Sequence, residues 1–240
     1  MSKCISTFYI DHIDEHNRML KTLLHFHPDV TVEVSNKEEF MKVYLGAYAY
    51  PTIELPLFKK YSTVTHIDND VLVLDNIDEL FDDSTDARAG RNNSDSGRCA
   101  THAGLTLPGI DEFMYVNAGI HSVSSEIFME DWMKTCLEKG GEIPYQEQGV
   151  LNLVFHSGKY NTKILDPKDK PVHWGTSLIE GIRTYWDLWK EINPVGDHLE
   201  LRGKRIKMLH IAGGGATKQP LINLLNKPSI DFIESILHAL

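Results

Sequence analysis

Two predicted strands separated by a predicted helix open this chain, and their order constrains the fold more than any other feature of the sequence. Lys3–Ile10 is rich in β-branched and aromatic side chains, as strands are. Asp14–His27 then carries apolar residues at helical spacing, and Asp29–Ser35 alternates with the period of a strand. Strand, helix and strand in this order predict a βαβ unit. The expected fold class is therefore α/β, with a parallel sheet whose faces are covered.

Composition narrows the class of protein further. The chain has 240 residues, 42% of them hydrophobic and 24% charged, which is typical of a globular protein with a substantial core. Its formal net charge of −10 and its single short basic segment, Leu201–Lys207, argue against a protein that binds the backbone of nucleic acid. Because the sequence has no internal repeat and no low-complexity linker, a single domain over residues 1–240 is expected.

The cysteines and the apolar runs predict a cytoplasmic protein. Cys4, Cys99 and Cys136 are scattered, odd in number and without CxxC spacing, which favours reduced thiols. The N-terminal segment becomes acidic too early for a signal peptide, and no apolar run approaches the roughly 20 residues of a transmembrane helix. Contact with a membrane is therefore expected only from its surface or through a partner.

Two aspartates, Asp68 and Asp70, stand directly before the apolar run Val71–Leu74. An EF-hand loop starting at Asp68 would need an oxygen ligand and a glycine where Leu72 and Val73 stand, so a calcium loop is excluded. The ordinary alternative is a pair of solvated carboxylates at a strand end. A buried strand makes an uncompensated pair costly, however, and a divalent cation that also binds phosphates would neutralise it. Both interpretations stay open on these residues alone.

Two regions outside this stretch are expected to serve as specificity loops. Asp82–Leu107 is small, polar and Gly-rich, and is predicted to be a loop, while Trp174–Trp189 is rich in aromatic residues. Between Asp70 and the first of these loops, Asn76 is predicted to cap a short helix over Asn76–Phe81.

Four segments resemble, in the same order, those of glycosyltransferases with the GT-A fold. The resemblance is closest to the family 8-like group of glycogenin and the bacterial lipopolysaccharide galactosyl- and glucosyltransferases. HIDNDVLVLDNIDELF resembles the family's D-x-D segment and the ELF helix that follows it. Tyr115–Val123 (YVNAGIHSV) is similar to its FNAGV strand, and Gln146–Phe155 (QEQGVLNLVF) to its DQGLLN helix. Leu209–Pro220 (LHIAGGGATKQP) is similar to its C-terminal HFxGxxKPW motif.

This resemblance implies a fold, an activity and partners. The fold would be a single GT-A, Rossmann-like domain with a mixed, mainly parallel central sheet flanked by helices. Residues 1–110 would form the nucleotide-binding half, and residues 111–240 the half for sugar and acceptor. The activity would be metal-dependent transfer of a hexosyl unit from a nucleotide sugar, UDP-linked, to a glycan, protein or lipid-linked acceptor. Mn²⁺ or Mg²⁺ would be the cofactor.

The same resemblance implies the site residue by residue. Asp68, Asp70 and His210 would hold the cation, and an imidazole suits Mn²⁺. Glu147 and Gln148 would be the catalytic residues beside the donor sugar. The residues that would bind the donor are Thr7, Tyr9, Asp11, Asp68, Asn69, Asn117, Gly213, Gly214 and Lys218.

Ordinary structural roles compete with several of these assignments. Asn117 would then only cap a turn, and Glu147 with Gln148 would only form the solvated first turn of a helix. Gly213–Gly215 would be a flexible turn.

Departures from the family pattern leave the donor and the stereochemistry open. His66 stands where the family has an aromatic residue, Pro51–Glu54 lacks the family's arginine, and Glu147 replaces an aspartate. Retention is favoured by the resemblance, with Glu147 as a transient nucleophile or with the leaving phosphate guiding attack from the same face.

An inverting enzyme would instead need a general base, for which Asp166, Asp169 and His173 are candidates by residue type. A nucleotidyltransferase is disfavoured because no glycine-rich loop follows the first predicted strand. A protein that only binds nucleotide sugars is the alternative without catalysis.

Overall fold

The computed structural model describes residues 2–9, 13–35, 38, 49–91, 110, 114–143, 146–165, 172–174, 190–210 and 225–239. The predicted βαβ unit is present at its start. Strand β1 (Lys3–Phe8) is followed by helix α1 (Ile13–Phe26) and strand β2 (Thr31–Ser35), and β1 and β2 pair in parallel. Helix α1 buries Met19 and Leu23 on its apolar face, as its helical spacing requires.

The central sheet has six strands in the order β2-β1-β3-β6-β5-β7. Its further strands are β3 (Thr63–Ile67), β5 (Ala87–Arg91), β6 (Val116–Val123) and β7 (Thr162–Ile164). Strand β1 runs parallel to β2 and β3, and β5 runs parallel to β7, whereas β6 is antiparallel to both of its neighbours. The sheet is therefore mixed and mainly parallel, which confirms the expected architecture.

A second sheet lies beyond the two aspartates. It has the order β4-β11-β10-β9, with β8 pairing with β11. Its strands are β4 (Val71–Val73), β8 (Val172–Trp174), β9 (Ile192–Val195), β10 (His198–Leu201) and β11 (Lys204–His210). The chain thus leaves the central sheet after β3 and enters the second sheet at β4, so Asp68 and Asp70 lie in the turn between two sheets.

Four more helices accompany the sheets: α2 (Ala49–Glu54), α3 (Glu126–Lys139), α4 (Gln146–Phe155) and α5 (Lys227–His238). Ser125 caps the N-terminus of α3, where its side chain accepts a hydrogen bond from Phe128 N, and Gly140 follows the last residue of the helix. Buried side chains of α3 and α4 share one apolar cluster with β5 and β6, and α5 covers the second sheet. No helix in the described ranges is both long and apolar enough to cross a bilayer.

Two local predictions were wrong. The loop predicted from Asp82 to Leu107 is contradicted at β5, which pairs with two strands and buries Ala87, Arg88 and Ala89, while residues 92–107 lie outside the described part of the chain. The predicted helix over Asn76–Phe81 is a 3₁₀ turn that begins only at Asp78. Asn76 precedes its N-cap position, although its Oδ1 does accept from Asp78 N at 2.8 Å.

Candidate metal and donor site

A turn and a strand end bring two carboxylates and an imidazole together. Asp68 and Asp70 follow β3, and His210 is the last residue of β11. His210 is paired with Val71 in the antiparallel register of β4 and β11, which places its side chain beside the turn. His210 Nε2 lies 3.1 Å from Asp70 Oδ1 and 3.5 Å from Asp68 Oδ2, and one ligand atom from each residue fits within 4.8 Å of the others.

The backbone of β6 closes one side of this group. Gly119 O accepts a hydrogen bond from Asp68 N at 2.9 Å. A Cβ at Gly119 would lie 2.1 Å from Asp68 Oδ2 and 2.8 Å from His210 Cε1, so a side chain here would occupy the space between them. Glycine at this position is therefore required by close approach.

The three side chains fit a divalent cation. Two carboxylates and one imidazole form a donor set that suits Mn²⁺, and the two carboxylates alone also suit Mg²⁺. Burial by itself would lower the pKa of His210, but the charge and hydrogen bond of Asp70 outweigh burial and raise it. The carboxylates thus favour a positive charge at this position, whether a proton or a metal ion supplies it.

Two neighbouring side chains contact the other carboxylate oxygen of Asp68, Oδ1. Asp68 Oδ1 accepts from Tyr50 Oη at 3.0 Å, and His66 Nε2 lies 3.0 Å from the same oxygen. Burial would raise the pKa of Asp68, but His66 and further donors outweigh it and lower the pKa. Asp68 is therefore an ionised carboxylate with one oxygen turned toward the protein.

Behind Asp68 lies a buried carboxylate between two imidazoles. Glu54 is fully buried, with Oε1 2.8 Å from His66 Nδ1 and Oε2 2.8 Å from His121 Nε2. Burial would raise the pKa of Glu54, but His121 and His66 lower it to about 2. Burial would likewise lower the pKa of His66, but its bonds to Asp68 and Glu54 raise it to about 9. The sequence offered no signal for this group beyond the unusual His66.

The first turn of α4 faces the same region. Trp132 Nε1 donates to Glu147 O at 3.0 Å, and Gln148 Oε1 accepts from Ala118 N at 3.1 Å. Burial raises the pKa of Glu147 to about 7, and the negative charge of Asp68 adds to this shift. Asn117 Oδ1 accepts a hydrogen bond from Gly119 N at 2.7 Å, which is the local contact expected if Asn117 only caps a turn. Gln148 and Asn117 thus also shape the strand that carries Gly119.

The end of β1 adjoins this group through Phe8, whose ring centroid is 5.5 Å from those of Tyr50 and His66. Thr7 is buried, and its Oγ1 has no hydrogen-bond partner in the part of the chain that is described. Tyr9 packs against His16 with ring centroids 4.8 Å apart. A buried hydroxyl without a partner is what a bound polar ligand would satisfy.

The remaining predicted donor-binding residues are either in the turn between the two aspartates or outside the described residues. Asn69 is in the turn between Asp68 and Asp70. The structure leaves four predicted donor-binding residues undescribed: Asp11, Gly213, Gly214 and Lys218. Sequence reasoning missed other residues that surround Asp68: Tyr50, Glu54, Gly119, His121 and Trp132. Their positions follow from tertiary packing of α2, α3 and β6, which no local pattern reveals.

Comparisons with known proteins identify the fold. Neither a protein-family model nor a curated protein matches the sequence. The apo structure of the bifunctional glycosyltransferase WbbM is similar, with a TM-score of 0.57 at 15% identity. The match covers 98% of this chain and 51% of WbbM. This chain therefore spans about half of the length of WbbM.

Two further solved structures are similar over almost their entire length. The galactosyltransferase LgtC, in complex with donor and acceptor sugar analogues, has a TM-score of 0.56 at 14% identity, covering 98% of this chain and 95% of LgtC. A glycosyltransferase involved in the glycosylation of the major capsid of PBCV-1 has a TM-score of 0.53 at 13% identity, covering 90% of this chain and 98% of that one. The mixed sheet and these likenesses together show that this chain has the GT-A fold of glycosyltransferases.

Proposed function

We propose that this protein is a metal-dependent glycosyltransferase that moves a hexosyl unit from a nucleotide sugar to an acceptor. The observation that carries the proposal is the Asp68–Asp70–His210 group, which stands where β3 of the central sheet ends. In open α/β sheets, ligands bind outside the carboxyl ends of the strands. The proposed donor is UDP-linked, the proposed acceptor is a glycan, protein or lipid-linked sugar, and the proposed location is the cytoplasm.

In this proposal Asp68, Asp70 and His210 hold Mn²⁺ or Mg²⁺. An ion held there would act as a Lewis acid toward the negative charge of a nucleoside diphosphate leaving group. Lys218 would add a positive charge near the phosphates, and the backbone amides of Gly213 and Gly214 would donate to them. Thr7, with its buried hydroxyl lacking a described partner, would bind the nucleoside together with Tyr9 and Asp11.

Glu147 and Gln148 are proposed to contact the donor sugar. The raised pKa of Glu147, about 7, leaves a large fraction of its carboxyl group protonated at neutral pH when no cation is present. A nearby cation would favour the ionised form, which is the form that can attack as a nucleophile or stabilise an oxocarbenium-like centre. Retention is proposed on this basis. The inverting alternative relies on Asp166, Asp169 or His173, whose side chains lie outside the described part of the structure.

The test is metal-dependent release of UDP from a panel of UDP-hexoses. We expect turnover with Mn²⁺, loss of turnover with EDTA, and loss to the background rate in Asp70→Ala, because the alanine removes one cation ligand. Asp78→Ala is the matched control, since Asp78 is an exposed aspartate eight residues further along the chain, and it should keep wild-type turnover.

Wild-type turnover in Asp70→Ala would contradict the proposed metal site. Binding of UDP-hexoses without any turnover, with or without candidate acceptors, would favour the alternative of a protein that only binds nucleotide sugars. Mn²⁺-dependent thermal stabilisation by each UDP-hexose would rank the donors.

A further inference from the structure

The two oxygens of Asp68 face different surroundings. Oδ1 contacts Tyr50 Oη and His66 Nε2, both at 3.0 Å, whereas Oδ2 lies 3.5 Å from His210 Nε2, on the side of Gly119 where a Cβ would stand. A carboxylate whose two oxygens are divided in this way can offer only Oδ2 to a cation. A rotation of the carboxyl group short of a half-turn would lengthen both contacts to Oδ1.

The imidazole of His66 is itself fixed in orientation. Its Nε2 lies 3.0 Å from Asp68 Oδ1 within hydrogen-bond geometry, and its Nδ1 lies 2.8 Å from Glu54 Oε1 in an ion-pair contact that lacks hydrogen-bond geometry. The ring packs edge-on against Tyr50, with centroids 4.6 Å apart, and stacks on His121 at 5.3 Å and 11°. Packing on its faces, one hydrogen bond and one ion-pair contact therefore restrict the orientation of the ring.

The second carboxylate oxygen of Glu54 connects this arrangement to β6. Oε2 lies 2.8 Å from His121 Nε2, and His121 Nδ1 lies 2.6 Å from Ala118 O in β6. A continuous chain of contacts thus runs from the backbone of β6 through His121, Glu54 and His66 to Asp68. Because a buried ion pair adds little net stability over apolar residues of the same size, its main physical effect here is orientation.

We propose that Glu54 is a positioning residue which, through His66, holds Asp68 with only Oδ2 turned toward the cation. The proposal rests on the metal site of the proposed function. It predicts that Glu54 and His66 affect cation affinity together, although neither is a ligand.

The experiment titrates the full chain with Mn²⁺ alone and follows free Mn²⁺ by electron paramagnetic resonance. We expect Glu54→Gln and His66→Asn each to raise the Kd for Mn²⁺ about tenfold, because His66 is a hydrogen-bond partner of the ligand Asp68 and Glu54 orients His66. Asn at position 66 keeps a donor near the place of Nδ1, so Glu54 is not left without a partner in that variant, and the fold is preserved. The double variant should bind Mn²⁺ no more weakly than His66→Asn, because Glu54 acts through His66.

His121→Phe is the matched control. It removes the second partner of Glu54 but keeps the contacts from Glu54 to His66 and from His66 to Asp68, so it should lower Tm and raise the Kd for Mn²⁺ by less than Glu54→Gln does. The positioning role is overturned if Glu54→Gln leaves the Kd within twofold, or if His121→Phe raises it as much as Glu54→Gln does. Absence of Mn²⁺ binding in the wild type, or binding that survives Asp70→Ala, would instead contradict the metal site of the proposed function and the positioning role with it.

Discussion

Gly119 sets the space available to Asp68 and His210. The atoms that an added Cβ would meet, Asp68 Oδ2 at 2.1 Å and His210 Cε1 at 2.8 Å, belong to two proposed cation ligands. Both side chains are confined, Asp68 by Tyr50 and His66 and His210 by its place in β11, so neither can move aside without losing a contact. A single methyl group would therefore displace ligands rather than fill a void.

We expect Gly119→Ala to reduce Mn²⁺-dependent UDP release by at least about tenfold, and to lower the free energy of unfolding by about 1–3 kcal/mol through overpacking. UDP release and urea unfolding measure the two effects. Gly141→Ala is the control, because a Cβ there meets no atom within 4 Å. Equal activity of the two alanine variants would show that the space beside Gly119 is not part of the site.

At the scale of elements, the buried amide of Asn152 joins α4 to β6, in addition to the contact of Gln148 with Ala118. Asn152 Oδ1 accepts from Val116 N at 2.7 Å, and its Nδ2 donates to Val116 O at 2.9 Å and to Gln148 O at 2.8 Å. The helix that carries Glu147 is thereby fixed against the strand that carries Gly119. This contact decides the distance between the two parts of the proposed site.

Asn152→Ala should lower the free energy of unfolding by about 2–4 kcal/mol, because it leaves buried backbone groups of β6 without partners. UDP release should fall as well, since the first turn of α4 loses its anchor. Asn161→Ala removes an exposed amide instead, and should change stability by no more than about 0.5 kcal/mol. An unchanged urea midpoint in Asn152→Ala would mean that packing alone holds α4 in place.

Strand β5 shows why sequence reasoning can miss a secondary-structure element. Ala87–Arg91 lies in a small, polar, Gly-rich region and has no run of β-branched residues. It is a strand because β6 pairs with it in antiparallel register and β7 in parallel register. Its buried Arg88 is compensated by Asp82 and by Glu79 O, which a pattern of hydrophobicity cannot indicate. Pairing partners, rather than propensity, determine this element.

For the whole molecule, the buried Glu54–His66 pair makes stability depend on pH. The pKa of His66 is raised from 6.5 to about 9 on folding, so its contribution is complete below pH 6.5 and is lost as pH rises toward 9. The pKa of Glu54 is lowered from 4.5 to about 2, so its contribution is complete above pH 4.5 and is lost as pH falls toward 2. Together they contribute fully between about pH 4.5 and 6.5.

We therefore expect Tm, measured in EDTA, to fall between pH 6.5 and 9, with a loss in folding free energy on the order of 3 kcal/mol from His66. In His66→Asn this part of the pH dependence should disappear, so the difference in Tm between wild type and variant should shrink as pH rises. If the Tm of His66→Asn falls as steeply with rising pH as that of the wild type, a group other than His66 causes the loss of stability at alkaline pH.

The sequence by itself determined the fold class, because hydrophobic periodicity and the order of strand, helix and strand are local properties that propensity and solvent exposure control. It also indicated Asp68, Asp70 and His210 as partners through resemblance, and the structure brings them together. The tertiary structure alone decided that the two aspartates lie in a turn between two sheets, that Gly119 leaves room beside them, and that Glu54, His66 and His121 stand behind them. These contacts join residues that are far apart in the chain, so they depend on how the sheets and helices pack, which no single segment encodes.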